Sequence, residues 1–259
     1  MNTTIDIINK RISLRKYLDT PISMEDEAVI INSALRAPTA GNMMLYSILT
    51  IKDAEKKSTL SKTCDNQPFI ATAPLILIFL ADYQKLYDFY KLSKVNEYCK
   101  DKNLSFNGPD RANLMLGISD ALVSAQNAVV AAESLGIGSC YIGDIMENYE
   151  THKALLNLPD YVFPIGMLTF GYYPDNTKIS PRSRFKREYV VFEEEYKNLS
   201  DTELMDMYSE WSKNFKENNI YDAKNAGQFN YARKTGSEFS IEMDRSIREA
   251  MKTWNGGKL

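Results

Sequence analysis

The sequence predicts a mixed fold, of the α/β or α+β class, in which long helices surround a small sheet. Two observations indicate this fold class. Apolar residues recur at helical spacing in several segments, and short apolar runs typical of strands stand between them. The chain has 259 residues, of which 44% are hydrophobic and 25% are charged, as expected for a globular protein with a sizeable core.

The first two helices are predicted from capping boxes. Thr3 begins one T-x-x-D box, and the helix that it opens should end near residues 13–15. Ser23 begins a second box just after a proline, and Pro38 ends the helix that follows. Residues 37–42, with the sequence APTAGN, should therefore form a loop.

Three strands and one long helix follow. Residues 111–136 are apolar nearly all round, which predicts a helix buried in a core or between two chains. Residues 73–82 are almost continuously apolar, which predicts a central strand buried on both faces. The other predicted strands are residues 45–53 and residues 163–174.

The remaining segments give weaker signals. We expect a helical or irregular tyrosine-rich segment, a short helix that ends at a proline, a basic loop, and C-terminal helices with a polar connector. The tyrosine-rich segment is residues 83–110, and the short helix is residues 151–159. The basic loop is residues 178–188, and the C-terminal helices are residues 201–259, with the connector at 218–227.

The composition narrows the classes of function. The net charge of −3 gives no electrostatic support for bulk nucleic-acid binding. The longest apolar run, residues 75–81, is too short to span a bilayer, and the N-terminus lacks the layout of a signal peptide. Three widely spaced cysteines indicate neither a disulfide framework nor a zinc site. We therefore expect a reduced, cytoplasmic protein without a metal centre.

The single histidine, His152, limits the possible catalytic schemes. Triads and dyads that need a histidine would have to use this one residue. Its place in the first turn of a short helix is more typical of a surface residue than of a catalyst. If the protein is an enzyme, a bound cofactor is therefore expected to carry the chemistry.

A group of cations lies near the start of the chain, in the stretch RISLRKY. Arg11, Arg15 and Lys16 flank Ser13 where the first helix is expected to end. Guanidinium groups bind phosphate oxygens through paired hydrogen bonds, and a serine hydroxyl adds a donor. The stretch predicts either an anion site or a solvated helix end.

Three other segments each have a functional and a purely structural interpretation. Residues 136–144, GIGSCYIGD, could bring backbone N–H groups to a flat ligand or form a simple turn, and their spacing does not fit a dinucleotide fingerprint. Residues 180–187 hold four cations, which either close on an anion or form a solvated loop. Gln67 can both donate to and accept from a heterocycle, or it is a loop residue.

The order of these segments along the chain resembles the FMN-dependent nitroreductase family. It is most similar to the larger, oxygen-insensitive nitroreductases and flavin reductases that prefer NADPH. The resemblance rests on RISLRKYLDTPIS, ALRAPTAGN, the glutamine after a short helix, AAESLGIGSCYIG, and LPDYVFPIGMLTFGYYPDN followed by PR. It implies an FMN-binding core over residues 1–190 and a helical extension, residues 191–259, that packs on the partner subunit.

The resemblance implies an α+β fold with a central, mainly antiparallel sheet flanked by helices. It also implies an intertwined homodimer with FMN bound between the subunits. The implied contacts are Arg11, Ile12, Ser13 and Arg15 at the FMN phosphate and ribityl chain, Pro38, Thr39 and Asn42 from the partner subunit, Gln67 and Phe69 at the ring edge, Tyr141, Ile142, Gly143 and Asp144 over the flavin, and Arg182 at the phosphate.

Two positions depart from the family pattern. Asp144 stands where close relatives have glycine, and a carboxylate beside a reduced flavin is unfavourable unless it points away. Ser180 stands where relatives have a lysine, and Arg184, Lys186 or Arg187 could supply the missing charge.

The function implied by the resemblance is a ping-pong transfer, in which a hydride passes from NAD(P)H to FMN and two electrons then reach a nitroaromatic, a quinone or free flavin. The resemblance assigns no catalytic residue. Cations that could bind the 2′-phosphate of NADPH are Lys224, Arg233 and Lys234. The alternatives are a flavin-cleaving or dehalogenating reaction on the same scaffold, and a non-catalytic protein that binds a flavin or another phosphorylated ligand.

Overall fold

In the computed structural model, which describes residues 2–257, the chain divides into two compact units. The first unit consists of residues 2–180 and 242–257, and the second is Pro181–Ile241. The sheet and nearly all of the buried core belong to the first unit.

The helices and strands are as follows. The α-helices are α1 (Thr3–Lys10), α2 (Met24–Leu35), α3 (Ala54–Thr63), α4 (Gln84–Leu92), α5 (Val95–Asp101), α6 (Arg111–Ser134), α7 (Tyr149–Leu156), α8 (Asp201–Met207), α9 (Ser209–Lys213), α10 (Ala226–Asn230) and α11 (Glu238–Ala250). The strands are β1 (Tyr46–Ile51), β2 (Leu75–Asp82), β3 (Ile137–Ile142) and β4 (Val162–Tyr172).

The four strands form one antiparallel sheet in the order β1-β2-β4-β3. The register of β2 and β4 shifts beside Pro164, which lacks a backbone N–H and lies beyond the point where β3 ends opposite Met167. A proline is tolerated at this position because β4 is paired there on one side only, and that pairing is already irregular. The predicted α+β architecture, a mainly antiparallel sheet flanked by helices, is confirmed.

The sheet has a core on each face. On one face, small residues of α6 such as Ala125 and Ala128 pack against Leu77 and Phe79 of β2. On the other face, alternate residues of β2 pack against α3 and the segments around it. All eight residues of β2 are buried, which confirms the prediction of a central strand with two buried faces.

Helix α6 is the one helix in residues 2–257 that is long and apolar enough to cross a membrane by length and composition alone. Its buried residues pack on the sheet, so it is a core helix of this fold. It begins at a capping box made by Asp110 and Asn113. Two of its side chains also bind carbonyl groups in the last turn of α2. Ser124 Oγ donates to the Ala34 carbonyl (3.1 Å), and Asn127 Nδ2 donates to the Ser33 carbonyl (3.2 Å).

The two predicted capping boxes have different outcomes. Ser23 caps α2 as predicted, and its hydroxyl accepts a hydrogen bond from the Asp26 N–H (3.0 Å). The N-cap of α1 is Asn2 rather than Thr3, because the Asn2 side chain accepts from the Thr4 N–H (2.9 Å). Helix α1 also ends earlier than predicted, at Lys10.

One strand is absent from the sequence prediction. Strand β3 was not expected, because its sequence IGSCYI contains a glycine and a serine and lacks a clear alternation. The uncertain segment 83–110 contains the two short helices α4 and α5.

Candidate functional site

The segment that follows α1 is extended and runs along strand β3. Ser13 forms a parallel bridge with Ser139, and the Leu14 N–H donates to the Ser139 carbonyl (2.9 Å). Leu14 is buried, whereas Ser13 and Arg15 on either side of it are exposed. Alternation along an extended chain therefore separates an anchoring face from an outward face.

Two glycines make room for the anchoring side chains. A Cβ on Gly138 would lie 2.6 Å from Leu14 Cδ2, and a Cβ on Gly171 would lie 2.6 Å from Tyr17 Cδ1. The Tyr17 hydroxyl donates to the Leu14 carbonyl (2.9 Å) and lies 2.6 Å from Thr169 Oγ1. The segment is thus fixed at Leu14 and Tyr17.

The outward face carries two arginines without an acidic partner. Among residues 2–257, no carboxylate lies within 4.0 Å of the guanidinium of Arg11 or Arg15. Burial raises the pKa of the Cys140 thiol, and the nearby charges of Arg15 and Arg11 oppose this effect. The half-buried Ile12 lies between the two arginines in sequence. Two unpaired guanidinium groups beside the Ser13 hydroxyl form a suitable site for a phosphate.

The next feature is a hydrogen bond between two predicted site residues. Gln67 Nε2 donates to Asp144 Oδ2 (2.8 Å) and to the Cys64 carbonyl (2.9 Å). Asp144 opens a short 3₁₀ turn, Asp144–Met146, directly after β3. The carboxylate that departs from the family pattern is therefore bound to the glutamine that was predicted at the ring edge.

A second carboxyl group lies behind Asp144. Glu147 is only 4% exposed, and its Oε1 is buried without a hydrogen-bond partner among the described residues. Burial raises the pKa of Glu147 to about 8, and the nearby charge of Asp144 adds to the shift. Glu147 therefore holds its proton near neutral pH.

The other predicted site residues at the end of β3 differ in whether their side chains can contact a ligand. Tyr141 and Gly143 are exposed, whereas the Ile142 side chain is 2% exposed and packs in the core. Ile142 can therefore contact a ligand only through its backbone. The half-buried Phe69 ring lies 6.5 Å from the Tyr17 ring, which connects the Gln67 segment to residues 11–17.

The predicted partner loop is held by a different part of the fold. The buried Asp120 of α6 accepts from the Ala40 N–H (2.9 Å) and the Leu45 N–H (3.1 Å). Thr39 Oγ1 accepts from the Met44 N–H (2.9 Å). These bonds fix the loop, including the neighbouring Pro38, to α6 and not to residues 11–15 or to Gln67.

Asn42 and the adjacent Gly41 have positive φ angles of 56° and 54°. Asparagine and glycine are the residues that adopt this left-handed conformation most readily. The sequence at the tip of the loop thus suits the turn that the loop makes.

Arg182 belongs to the second unit, where it lines a cavity of about 700 Å³ together with Trp211, Phe229 and Arg233. Its predicted contact with the phosphate stays a prediction. Of the cations proposed to compensate for Ser180, Lys186 is paired with Asp206 at 2.7 Å.

The cations proposed for NADPH also lie in the second unit. Lys224 is paired with Asp222 at 2.7 Å, while the Arg233 guanidinium lies 5.8 Å from the centre of the Phe229 ring. Lys234 lies over another aromatic ring at 4.8 Å. Of the three, Lys224 is thus the one already neutralised by a carboxylate.

The expectation that His152 is a surface residue is wrong. Its side chain is fully buried, its Nδ1 donates to the Ile145 carbonyl (2.9 Å), and its Nε2 lies 2.7 Å from Thr63 Oγ1. Burial lowers the pKa of the imidazole. His152 therefore connects the 3₁₀ turn of Asp144 to the end of α3, which is a structural role.

Asp120 and Glu147 were missed in the sequence. Asp120 lies in the middle of the apolar stretch of α6, far from Glu133, the other acidic residue of the helix, and a charge at such a place needs a polar partner. That signal could have found Asp120. Glu147 had no comparable signal, because it stands in DIMENYE, residues 144–150, where polar and apolar residues are mixed.

The comparisons with known proteins agree with this geometry. The profile of the Nitroreductase family matches residues 8–172. The chain is 32% identical over 201 residues to an FMN reductase [NAD(P)H] of Bacillus subtilis, covering 78% of this chain and 77% of the relative. It is 31% identical over 210 residues to an oxygen-insensitive NADPH nitroreductase of Salmonella typhimurium, with 81% of each chain covered.

A solved structure gives the same result over the full length. NfrA2 of B. megaterium matches with a TM-score of 0.78 and 29% identity, covering 100% of this chain and 99% of that one. Both relatives are named as reductases that use NAD(P)H or NADPH. On the match to the family profile and to these relatives, the chain belongs to the nitroreductase family.

Proposed function

We propose that the protein is an NAD(P)H-dependent FMN oxidoreductase that reduces nitroaromatics, quinones or free flavin. The observation that carries the proposal is the pair of unpaired arginines, Arg11 and Arg15, on a segment fixed along β3. Relatives of the same family are FMN reductases and NADPH nitroreductases, which supports the cofactor and the reductant.

The donor set fits FMN. The two guanidinium groups and the Ser13 hydroxyl match a phosphate, which takes several charged hydrogen bonds. Exposed Gly143 allows a flat ring to approach the backbone after β3, and Gln67 would meet the polar edge of that ring. The contacts proposed for Ile12, Pro38, Thr39, Asn42, Phe69, Tyr141, Ile142, Asp144 and Arg182 complete this site.

When bound, FMN supplies the redox chemistry, accepting a hydride from NAD(P)H and passing two electrons to the acceptor. The residues of this chain bind the cofactor and fix the orientation of its ring. Arg11 and Arg15 hold the phosphate, Leu14 and Tyr17 fix the segment that carries them, and Gln67 sets the orientation of the ring edge.

We also propose that the protein is a homodimer. Met115, Leu116, Leu122 and Val123 form an exposed apolar stripe on α6, with Met115 61% exposed. Exposed apolar residues on one face of a core helix are typical of a subunit interface. The loop at Pro38, Thr39 and Asn42 would then serve the site of the partner. The part of the 191–259 extension that belongs to the second unit would pack on the partner, while residues 242–257 pack on the core of their own chain. A cytoplasmic location is part of the same proposal.

An anaerobic titration tests the function. The purified full chain should carry a yellow flavin spectrum, and addition of NADPH should bleach it. Turnover with a nitroaromatic, a quinone and free FMN should follow. A protein that binds FMN but is not reduced by NADPH or NADH would contradict the enzyme, and one that binds no FMN would contradict the cofactor as well.

A further inference from the structure

The amide nitrogen of Gln67 is fully engaged inside the protein. Its two hydrogens go to the Cys64 carbonyl (2.9 Å) and to Asp144 Oδ2 (2.8 Å). Both partners can only accept, so the nitrogen must face them and the assignment of the amide is fixed. The opposite atom, Oε1, is accessible and has no hydrogen-bond partner among the described residues. Gln67 therefore offers a ligand an acceptor and no donor.

Asp144 imposes this state on Gln67. The Cys64 carbonyl holds only one of the two amide hydrogens, and a backbone carbonyl alone leaves the other free to meet a ligand. The second bond, to the carboxylate, is charge-assisted and therefore the stronger of the two. Removing the carboxylate would return a donor to Gln67 and let the amide turn.

The neighbouring Glu147 bears on whether the Asp144 carboxylate can bind Gln67. It lies behind Asp144 and near Asp65 and Glu242, and the backbone of Glu147 contacts the buried His152. Glu242 is itself neutralised by Arg245, at 2.8 Å. Because burial raises the pKa of Glu147, its carboxyl group adds little negative charge beside Asp144, whose Oδ2 accepts the hydrogen bond from Gln67.

We propose that Asp144 is a positioning residue that locks Gln67 as a pure acceptor, so that the site selects a ring edge that presents an N–H. This inference rests on the proposed function, since the expected ligand is FMN, whose ring has one imide N–H between two carbonyls. A carbonyl oxygen that faces this edge bonds the N–H and repels a ligand that shows only carbonyl oxygens or an N-alkyl group there.

A binding comparison tests the proposal without turnover. The full chain, stripped of flavin, is titrated with FMN and with FMN methylated at the imide nitrogen, and quenching of flavin fluorescence gives each Kd. The wild type should bind FMN about 10–100-fold more tightly, because the methylated analogue leaves Gln67 Oε1 unpaired.

Three variants identify Asp144 as the cause. Asp144→Ala should reduce the preference to about threefold or less, since the freed amide can meet a carbonyl edge. Asp144→Asn, whose side-chain oxygen still accepts from Gln67, should retain most of the preference. Asp65→Asn is the matched control, because it removes a neighbouring charge at a positive φ of 57° that asparagine tolerates, and it should leave the preference unchanged.

The outcomes separate this inference from the proposed function. A wild type that binds neither flavin overturns both. Equal Kd values for FMN and the methylated analogue in the wild type overturn the inference alone. A full preference retained in Asp144→Ala, with the fold confirmed by circular dichroism, also overturns it, since Gln67 would then not depend on the carboxylate.

Discussion

Tyr17 lies directly over Gly171, so closely that a Cβ on Gly171 would be 2.6 Å from Tyr17 Cδ1 and 2.8 Å from Tyr17 Cβ. Rotation of the side chain can move Cδ1, but Cβ cannot move without the backbone. The glycine is therefore what permits residues 11–17 to lie flat on the sheet beside the proposed phosphate site.

Gly171→Ala should destabilise the protein and weaken FMN binding together. Overpacking of this kind costs about 1–3 kcal/mol of unfolding free energy. Chemical denaturation and flavin titration measure the two effects. Gly166→Ala, on the same strand, is the control, because its Cβ would meet only Leu122 Cδ2 at an ordinary 3.7 Å. Equal losses in the two variants would contradict the close contact.

Arg11→Ala or Arg15→Ala should weaken FMN retention by about 10–100-fold, since each removes a charged hydrogen bond to the phosphate. Arg187→Ala, which removes an exposed arginine in the second unit, should change retention by about twofold or less. Gel filtration followed by flavin absorbance gives the retained fraction. Similar retention in all three variants would mean that the phosphate binds elsewhere.

Asp120→Ala should loosen the loop after α2. It leaves the Ala40 and Leu45 N–H groups without their acceptor, at a cost of about 1–3 kcal/mol for the buried Leu45 N–H and less for the half-buried Ala40 N–H. Hydrogen exchange at these two amides should accelerate and the melting temperature should fall. Ser134→Ala, at an exposed position near the end of α6, is the control. Unchanged exchange at both amides would show that the loop does not depend on Asp120.

Glu147→Gln should stabilise the protein at alkaline pH. The pKa of Glu147 rises from 4.5 to about 8 on folding, so its contribution to stability is full below pH 4.5 and is lost as the pH rises through 8. Glutamine keeps the shape without the ionisation. The gain in melting temperature should therefore be larger at pH 8.5 than at pH 5, at about 2–4 °C for each kcal/mol.

The exposed Glu217→Gln is the control for that measurement, and it should show no such dependence on pH. A Glu147→Gln gain that is the same at both pH values would contradict a proton held by Glu147 in the folded protein.

Met115→Glu and Val123→Glu should shift the proposed homodimer toward monomer, because each places a charge in the apolar stripe of α6. Light scattering after gel filtration gives the mass. Leu92→Glu, at an 83% exposed position on α4, should leave the dimer intact. A wild type that elutes as a monomer would contradict the interface.

Local signals were sufficient for much of the fold. Ser23 caps α2 because the bond to the Asp26 N–H needs nothing beyond four consecutive residues. The buried strand β2 and the helix α6 were predicted because their apolar patterns are long. Strand β3 was missed because its sequence IGSCYI lacks a strand pattern, and only its pairing with β4 and the bridge at Ser13 define it.

The sequence was sufficient to select residues of the site, but not to predict the hydrogen bonds between them. The motif resemblance selected Gln67 and Asp144 separately, but their hydrogen bond joins residues 77 positions apart. The pairing of Asp120 with the loop likewise spans 80 positions. Such contacts depend on tertiary packing, which no local pattern in one sequence encodes.

Strand β3 lies at one end of the sheet, where its outer edge would expose unpaired N–H and C=O groups. The bridge between Ser13 and Ser139 and the packing of Leu14 on Gly138 cover part of that edge. The segment proposed to hold the phosphate thus also protects the molecule from edge-to-edge aggregation. A chain that lacks residues 2–17 would lose none of its four strands, yet it would present a bare strand to other copies of itself.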